Sequence, residues 1–271
     1  MEAGSRERER AAFPGIAGSL GLVAAVLVGE VIAALLLRRS VLGDPDLAVL
    51  ATALAIAIGN GVVLAIYFRR WRLEWRNVMH PAAASMTATV GVLAVPLLLL
   101  APAIFLVATG LDDVVQLVAP MSESQRRMFA DLLRGGFASA LMLVLVAPLF
   151  EEMLFRGVVL RGLLARMEPR AAIVVSALIF GAAHLNWQQF VTGTFIGLPL
   201  GWLYWRVRST LPCMLLHAAH NALTLVAVTS LDADASAADL PVAVWFVAPA
   251  CAWAGAIALR RVLGGLRQSS P

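Results

Sequence analysis

Pro148-Leu149-Phe150-Glu151-Glu152-Met153-Leu154-Phe155-Arg156 closes a long apolar run that begins at Phe137. Two adjacent carboxylates and a guanidinium therefore stand inside a stretch of membrane-spanning character. A charge at that depth costs from about 2.5–3.5 kcal/mol on insertion scales to far more in simulations. Such a group reads by default as part of a functional site whose partners lie elsewhere in the chain.

The rest of the chain supports the membrane reading. Of its 271 residues, 61% are hydrophobic and 14% are charged, and the mean hydropathy is +0.84. Soluble domains carry about 25% charged residues. Apolar runs recur at about 13–37, 47–68, 87–109, 137–160, 171–185, 190–205, 211–230 and 241–259. Most approach the roughly 20 residues needed to cross a bilayer. The expected fold is all-α, a polytopic membrane helix bundle of about eight transmembrane helices, forming one integral membrane domain over 1–271. The fifth and sixth runs are short. Gly193, Gly197, Pro199 and Gly201 mark the sixth for a kink or tilt. Met1 to Arg10 lacks the small-residue cleavage pattern of a signal peptide, so the first run is expected to remain as a membrane helix.

All 21 basic side chains are arginines, apart from the histidines, and they mark orientation. Arg69, Arg70, Arg72 and Arg76 follow the second run, and Arg161, Arg166 and Arg170 follow the fourth. Arg206 and Arg208 follow the sixth, and Arg260, Arg261 and Arg267 the eighth. Alternate connections carry Asp112 and Asp113, no charge, and Asp232, Asp234 and Asp239. Both termini are therefore expected in the cytoplasm. Arg38, Arg39, Arg126, Arg127 and Arg134 break the pattern. The amphipathic stretch Met121–Leu133 suits a helix on the outer surface or one folded back on the bundle. No basic stripe is interleaved with aromatics, so the expected partner is the lipid bilayer and no nucleic acid. Cys213 and Cys251 lie in apolar runs and read as packed thiols. His80 sits among arginines and reads as surface.

Helical spacing separates the two acids. Glu152 and Arg156 are four apart and share a face. Glu151 is rotated by about 100° from Glu152 and is free to face a cavity. The bland alternative is that both acids are solvated at a helix end. His184 lies four residues after Phe180 in the fifth run. His217 and Asn221 share a face in the seventh, and His220 lies beside it. If runs four and five form an antiparallel hairpin, Glu151 and His184 lie within roughly 2 Å of the same depth.

A carboxylate beside an imidazole in a dry cavity is a general-base arrangement that can deprotonate water. Asn221 and His217 offer N–H donors for an oxyanion. There is no Gly-x-Ser-x-Gly elbow, and no aspartate lies within a run. Zinc is the chemical rival, with Glu151, His184, His217 and His220 or Asn221 as candidate ligands, but there is no His-Glu-x-x-His. Two other readings stay open. One is a transporter or proton relay, which would call for inverted repeats that the sequence does not display. The other is a non-catalytic membrane scaffold or immunity partner.

Glu-Glu-x-x-x-Arg (Glu151, Glu152, Arg156), Phe-x-x-x-His (Phe180, His184) and His-x-x-x-Asn (His217, Asn221) follow in that order within about 70 residues. This resembles the CAAX-processing and bacteriocin-processing intramembrane endopeptidases, the Rce1-like or Abi proteins. The resemblance covers about 137–230, the catalytic core that it implies. It implies a bundle around a cytosol-facing cavity and a metal-independent glutamate-type protease without cofactor. Glu151 and His184 would activate water, and His217 and Asn221 would form the oxyanion hole. Glu152 and Arg156 would be the supporting ion pair, with Phe180 packed nearby. The substrate would be a membrane-associated protein or peptide, prenylated in eukaryotic members. The lysine-free, Arg- and Ala-rich composition points to a prokaryotic inner membrane. There, peptide maturation or bacteriocin self-immunity fits better than a prenylated substrate.

Overall fold

The computed structural model describes residues 9–38, 45–82, 84–134, 136–231 and 236–268. Arg39, Asp232 and Asp234, part of the charge pattern above, lie outside the described residues. Each of the eight apolar runs becomes helix. α1 spans Ile16–Arg38, α2 Pro45–Trp71 and the short α3 Trp75–Met79. α4 spans Met86–Val118, and α5 Glu123–Arg134. α6 is continuous over Gly136–Leu164. It is followed by α7 (Pro169–Ala182), α8 (Trp187–Val207), α9 (Leu211–Ser230) and α10 (Val242–Gln268). Among the described residues there is no strand.

Six of these stretches are long and apolar enough to cross a membrane: those of α1, α2, α4, α6, α9 and α10. α7 is apolar but has only 14 residues. That is about 21 Å of helix, short of the roughly 30 Å hydrocarbon core. α8 has 21 residues and runs unbroken through Pro199. Gln188, Gln189, Thr192 and Thr194 dilute its apolar content, and it is not among the six. The eight apolar runs thus comprise six helices that meet the length and apolarity needed to cross a membrane and a shorter or more polar pair, α7 and α8.

Local chemistry sets the ends of that pair. Pro169 opens α7 and Pro212 opens α9, in first turns where no N–H is needed. Asn186 caps α8, its Oδ1 accepting from the Gln189 N–H at 2.8 Å. Arg208 closes α8 in the left-handed conformation, with φ of 52°.

α6 is not a uniform α-helix. Leu141–Val146 and Met153–Leu160 are π-helical. The Ala147 N–H bonds five residues back to the Met142 carbonyl. The next N–H in that wider ladder would come from residue 148, which is proline and has none. The Leu143 carbonyl is therefore left for an outside donor. Widened turns of this kind recur at functional sites.

α2 packs on α1 and on α6, α6 on α7 and α9, and α4 on α8, α9 and α10. The shared core includes Leu64, Leu93, Leu97, Val158, Leu163 and Leu200. α1 and α2 cross closely at Gly59. A Cβ there would stand 2.5 Å from the Glu30 nitrogen. The Glu30 carboxylate accepts from Asn60 Nδ2 at 2.5 Å. This intramembrane acid–amide pair escaped the sequence reading, because nothing in the spacing links residues on two different helices.

One surface expectation changes, and an open one is decided. His80 is buried, and its Nε2–H donates to the Ala84 carbonyl at 2.6 Å. His80 caps the C-terminus of α3, which is held against α6 by Val78 packed on Gly157. The amphipathic segment forms α5, and Met128, Phe129 and Leu132 help line a cavity, so it folds back on the bundle. Both cysteines are free, Cys213 buried and Cys251 partly so.

Replacing Gly59 by alanine is expected to lower stability by about 1–3 kcal/mol through backbone overlap, read as a lower thermal midpoint in detergent. Gly91→Ala meets nothing within 4 Å and serves as the control, with little change expected.

Candidate active site

The site grows from the middle of α6. Glu152 is fully buried and Arg156 is 1% exposed. Arg156 Nη1 donates to Glu152 Oε1 at 2.9 Å, the i,i+4 pairing that the spacing suggested. The same oxygen accepts from His217 Nδ1–H, from α9, at 2.8 Å. Arg156 Nη2 also points to the Gly197 carbonyl of α8 at 3.4 Å. Its guanidinium lies 4.6 Å from the centre of the Phe180 ring of α7. One buried ion pair therefore touches α6, α7, α8 and α9.

Glu151 points elsewhere, as the rotation between neighbouring helical residues requires. Its side chain is 24% exposed, and its Oε2 lies 3.9 Å from His217 Nε2. It lines a cavity of about 530 Å³ together with Phe180, His184, His217 and Asn221. That volume falls in the range of about 300–1,000 Å³ usual for ligand sites.

His184 does not sit within a helix. α7 ends at Ala182, and His184 occupies the turn that follows. Its Nδ1–H donates to the Phe180 carbonyl at 3.0 Å. A carbonyl can only accept, so this bond fixes the tautomer of the neutral ring and leaves the Nε2 lone pair free. Phe180 meets His184 edge-on with ring centres 5.1 Å apart, and His217 with centres 5.9 Å apart. The backbone beneath this turn is close to α8. A Cβ on Gly181 would overlap the Phe190 carbonyl and the Thr194 hydroxyl, so only glycine admits this approach.

Asn221 lies one turn beyond His217 on α9. Its Nδ2 donates to the Leu143 carbonyl at 2.8 Å, the acceptor left over by Pro148 in the π-helical turn. One of the two amide hydrogens is thus used to dock α9 on α6, and one remains. His217 is similarly committed. With Nδ1–H on Glu152, it can donate from Nε2 only as the imidazolium.

The structure thus brings Glu151, His184, His217 and Asn221 to one cavity, with Glu152, Arg156 and Phe180 packed directly behind. Sequence reasoning left out His220, which is buried and lines the same cavity. Its ring centre lies 6.3 Å from that of Phe105, and its Nδ1 has no partner among the described residues. The available signal was its position three residues after His217 on the same helix. Among the described residues, no three His, Cys, Asp or Glu side chains are grouped so as to hold a metal ion.

Fold and site together define a polytopic membrane-helix bundle with an ionisable cluster at its centre. Residues 134–223 match the family model described as type II CAAX prenyl endopeptidase Rce1-like. That segment, about a third of the chain, is what is similar to the family. The matched segment contains all seven residues above and leaves out α1 to α4, all but the last residue of α5, the end of α9 and α10. No curated protein and no solved structure matches the chain.

Breaking a buried ion pair by removing one partner costs about 3–5 kcal/mol. Arg156→Met and Glu152→Gln are therefore expected to lower the thermal midpoint of the purified protein sharply. A midpoint unchanged in both variants would show that the pair does not hold the four helices together.

Proposed function

We propose that this protein is an intramembrane endopeptidase that hydrolyses peptide bonds of membrane-associated proteins or peptides. The observation that carries this reading is the convergence of Glu151, His184, His217 and Asn221 on one cavity, backed by the buried Glu152–Arg156 pair. The family match points to the same class of activity.

In the proposed reaction, a water molecule lies between Glu151 and the free Nε2 of His184. Glu151 takes a proton as the water oxygen bonds to the carbonyl carbon. The tetrahedral oxyanion accepts from the remaining Asn221 N–H and from His217 Nε2–H in its imidazolium form. Collapse of the oxyanion breaks the C–N bond, and the proton passes to the leaving amine. No step requires a metal or a covalent enzyme intermediate. The protein is proposed to reside in a prokaryotic inner membrane with both termini cytoplasmic, as the arginine pattern favours.

The test uses purified protein with two reporters, a prenylated CAAX-ended peptide and an unlipidated transmembrane peptide, read by mass spectrometry. Wild type is expected to cleave at least one of them in the presence of a chelator. His184→Ala is expected to reduce the rate about 10²–10⁴-fold, and Asn221→Ala about 10²–10³-fold. No cleavage of either reporter by wild type, or full cleavage by both variants, contradicts the reading.

A further inference from the structure

The two ends of the bundle differ in closure. At the end holding residues 9–15, the bundle is plugged. Arg10 Nε donates to the Ala165 carbonyl at 2.7 Å, and Arg161 Nη1 to the Asn77 carbonyl at 2.9 Å. Thr210 Oγ1 donates to the Met79 carbonyl at 3.0 Å. The Arg161 guanidinium lies 4.4 Å from the centre of the Phe13 ring. Val78, at 1% exposure, fills the space beneath Gly157 of α6.

The cavity lies toward the other end. Glu151, Phe180 and His217 form its inner part. The connecting segments that reach it are those after α4, α7 and α9, through Met121, Asn186 and Ser236. α5 flanks it through Met128 and Leu132. None of its lining residues comes from the connections after α2, α6 or α8. Gln188 Nε2 donates to the Ala119 carbonyl at 2.6 Å and ties two of the mouth segments together.

Charge separates the same two ends. Among the described residues, the segments 9–12, 69–82, 161–170, 206–210 and 260–268 hold thirteen arginines and three acids. Residue 38 and the segments 45–46, 112–134 and 236–241 hold four arginines and six acids. Arginine excess marks the cytoplasmic side of a membrane protein. The mouth and the arginine-rich end are opposite, so a cytosol-facing cavity and cytoplasmic termini exclude each other here.

We infer that the cavity opens to the extracytoplasmic side, so that the peptide segment it receives is presented on the outer face of the membrane. As a statement about substrate this rests on the protease reading. As a statement about access it stands on the geometry and the charge alone. The mouth therefore selects for membrane-anchored chains whose cleavable segment has already crossed the bilayer, and the arginine-rich plug keeps cytosolic segments from the site.

The experiment labels single cysteines in the full-length protein in a bacterial host, with Cys251 replaced by alanine and the buried Cys213 retained as background. Met128→Cys and Leu185→Cys report the mouth, at positions 59% and 80% exposed. Glu168→Cys, between α6 and α7, reports the arginine-rich end. A membrane-impermeant maleimide is applied to intact and to permeabilised cells. Either mouth cysteine is expected to label in intact cells to nearly its permeabilised level, and Glu168→Cys only after permeabilisation. Mouth cysteines that label only in opened cells, or Glu168→Cys that labels in intact cells, overturn the inference. Labelling needs no cleavage, so this result is independent of the one that tests the protease reading.

Discussion

A single carboxylate oxygen, Glu152 Oε1, accepts from Arg156 of its own helix at 2.9 Å and from His217 of α9 at 2.8 Å. Burying a carboxylate and a guanidinium costs several kcal/mol per ion, which their attraction offsets only with good geometry and further hydrogen bonds. Those further contacts come from three other helices: His217 of α9, the Gly197 carbonyl of α8 and the Phe180 ring of α7. These contacts form only when the four helices are correctly placed; Glu152 Oε2 and Arg156 Nε have no hydrogen-bond partner among the described residues. The ion pair acts as a register device at the centre of the bundle.

That constraint also divides the labour between two adjacent acids. With Glu152 locked into the core, the helical rotation of about 100° per residue turns Glu151 toward the cavity. A second device works alongside it. Pro148 leaves the Leu143 carbonyl without a backbone donor, and Asn221 fills the vacancy. The proline thus docks α9 at the height where His217 meets both acids. Phe180 completes the arrangement, holding the His184 ring through its carbonyl and packing its own ring against both histidines.

What was legible in the sequence is what lies on one helix. The Glu152–Arg156 pairing, the divergence of Glu151 and the common face of His217 and Asn221 follow from 3.6 residues per turn. Contacts between helices were not legible. The His217–Glu152 bond needs the packing of α9 on α6, and the Glu30–Asn60 pair needs the crossing at Gly59. His80 read as surface because its neighbours are arginines, whereas it is buried at the C-terminus of α3. His184 lies beyond the end of α7, where the chain turns to begin α8, and periodicity alone gives no such boundary. Run length alone did not separate α7, which is shorter, and α8, which is more polar, from the six helices long and apolar enough to cross a membrane.

The division between the two acids is the centre of the account, and Glu151→Gln measures it most directly. The variant keeps the size of the side chain and removes its capacity to take a proton. Thermal unfolding and reporter cleavage are measured on the same preparation. The account predicts a thermal midpoint close to wild type with cleavage reduced about 10²-fold or more. Cleavage at the wild-type rate, or a loss of stability as large as that of Glu152→Gln, would contradict it.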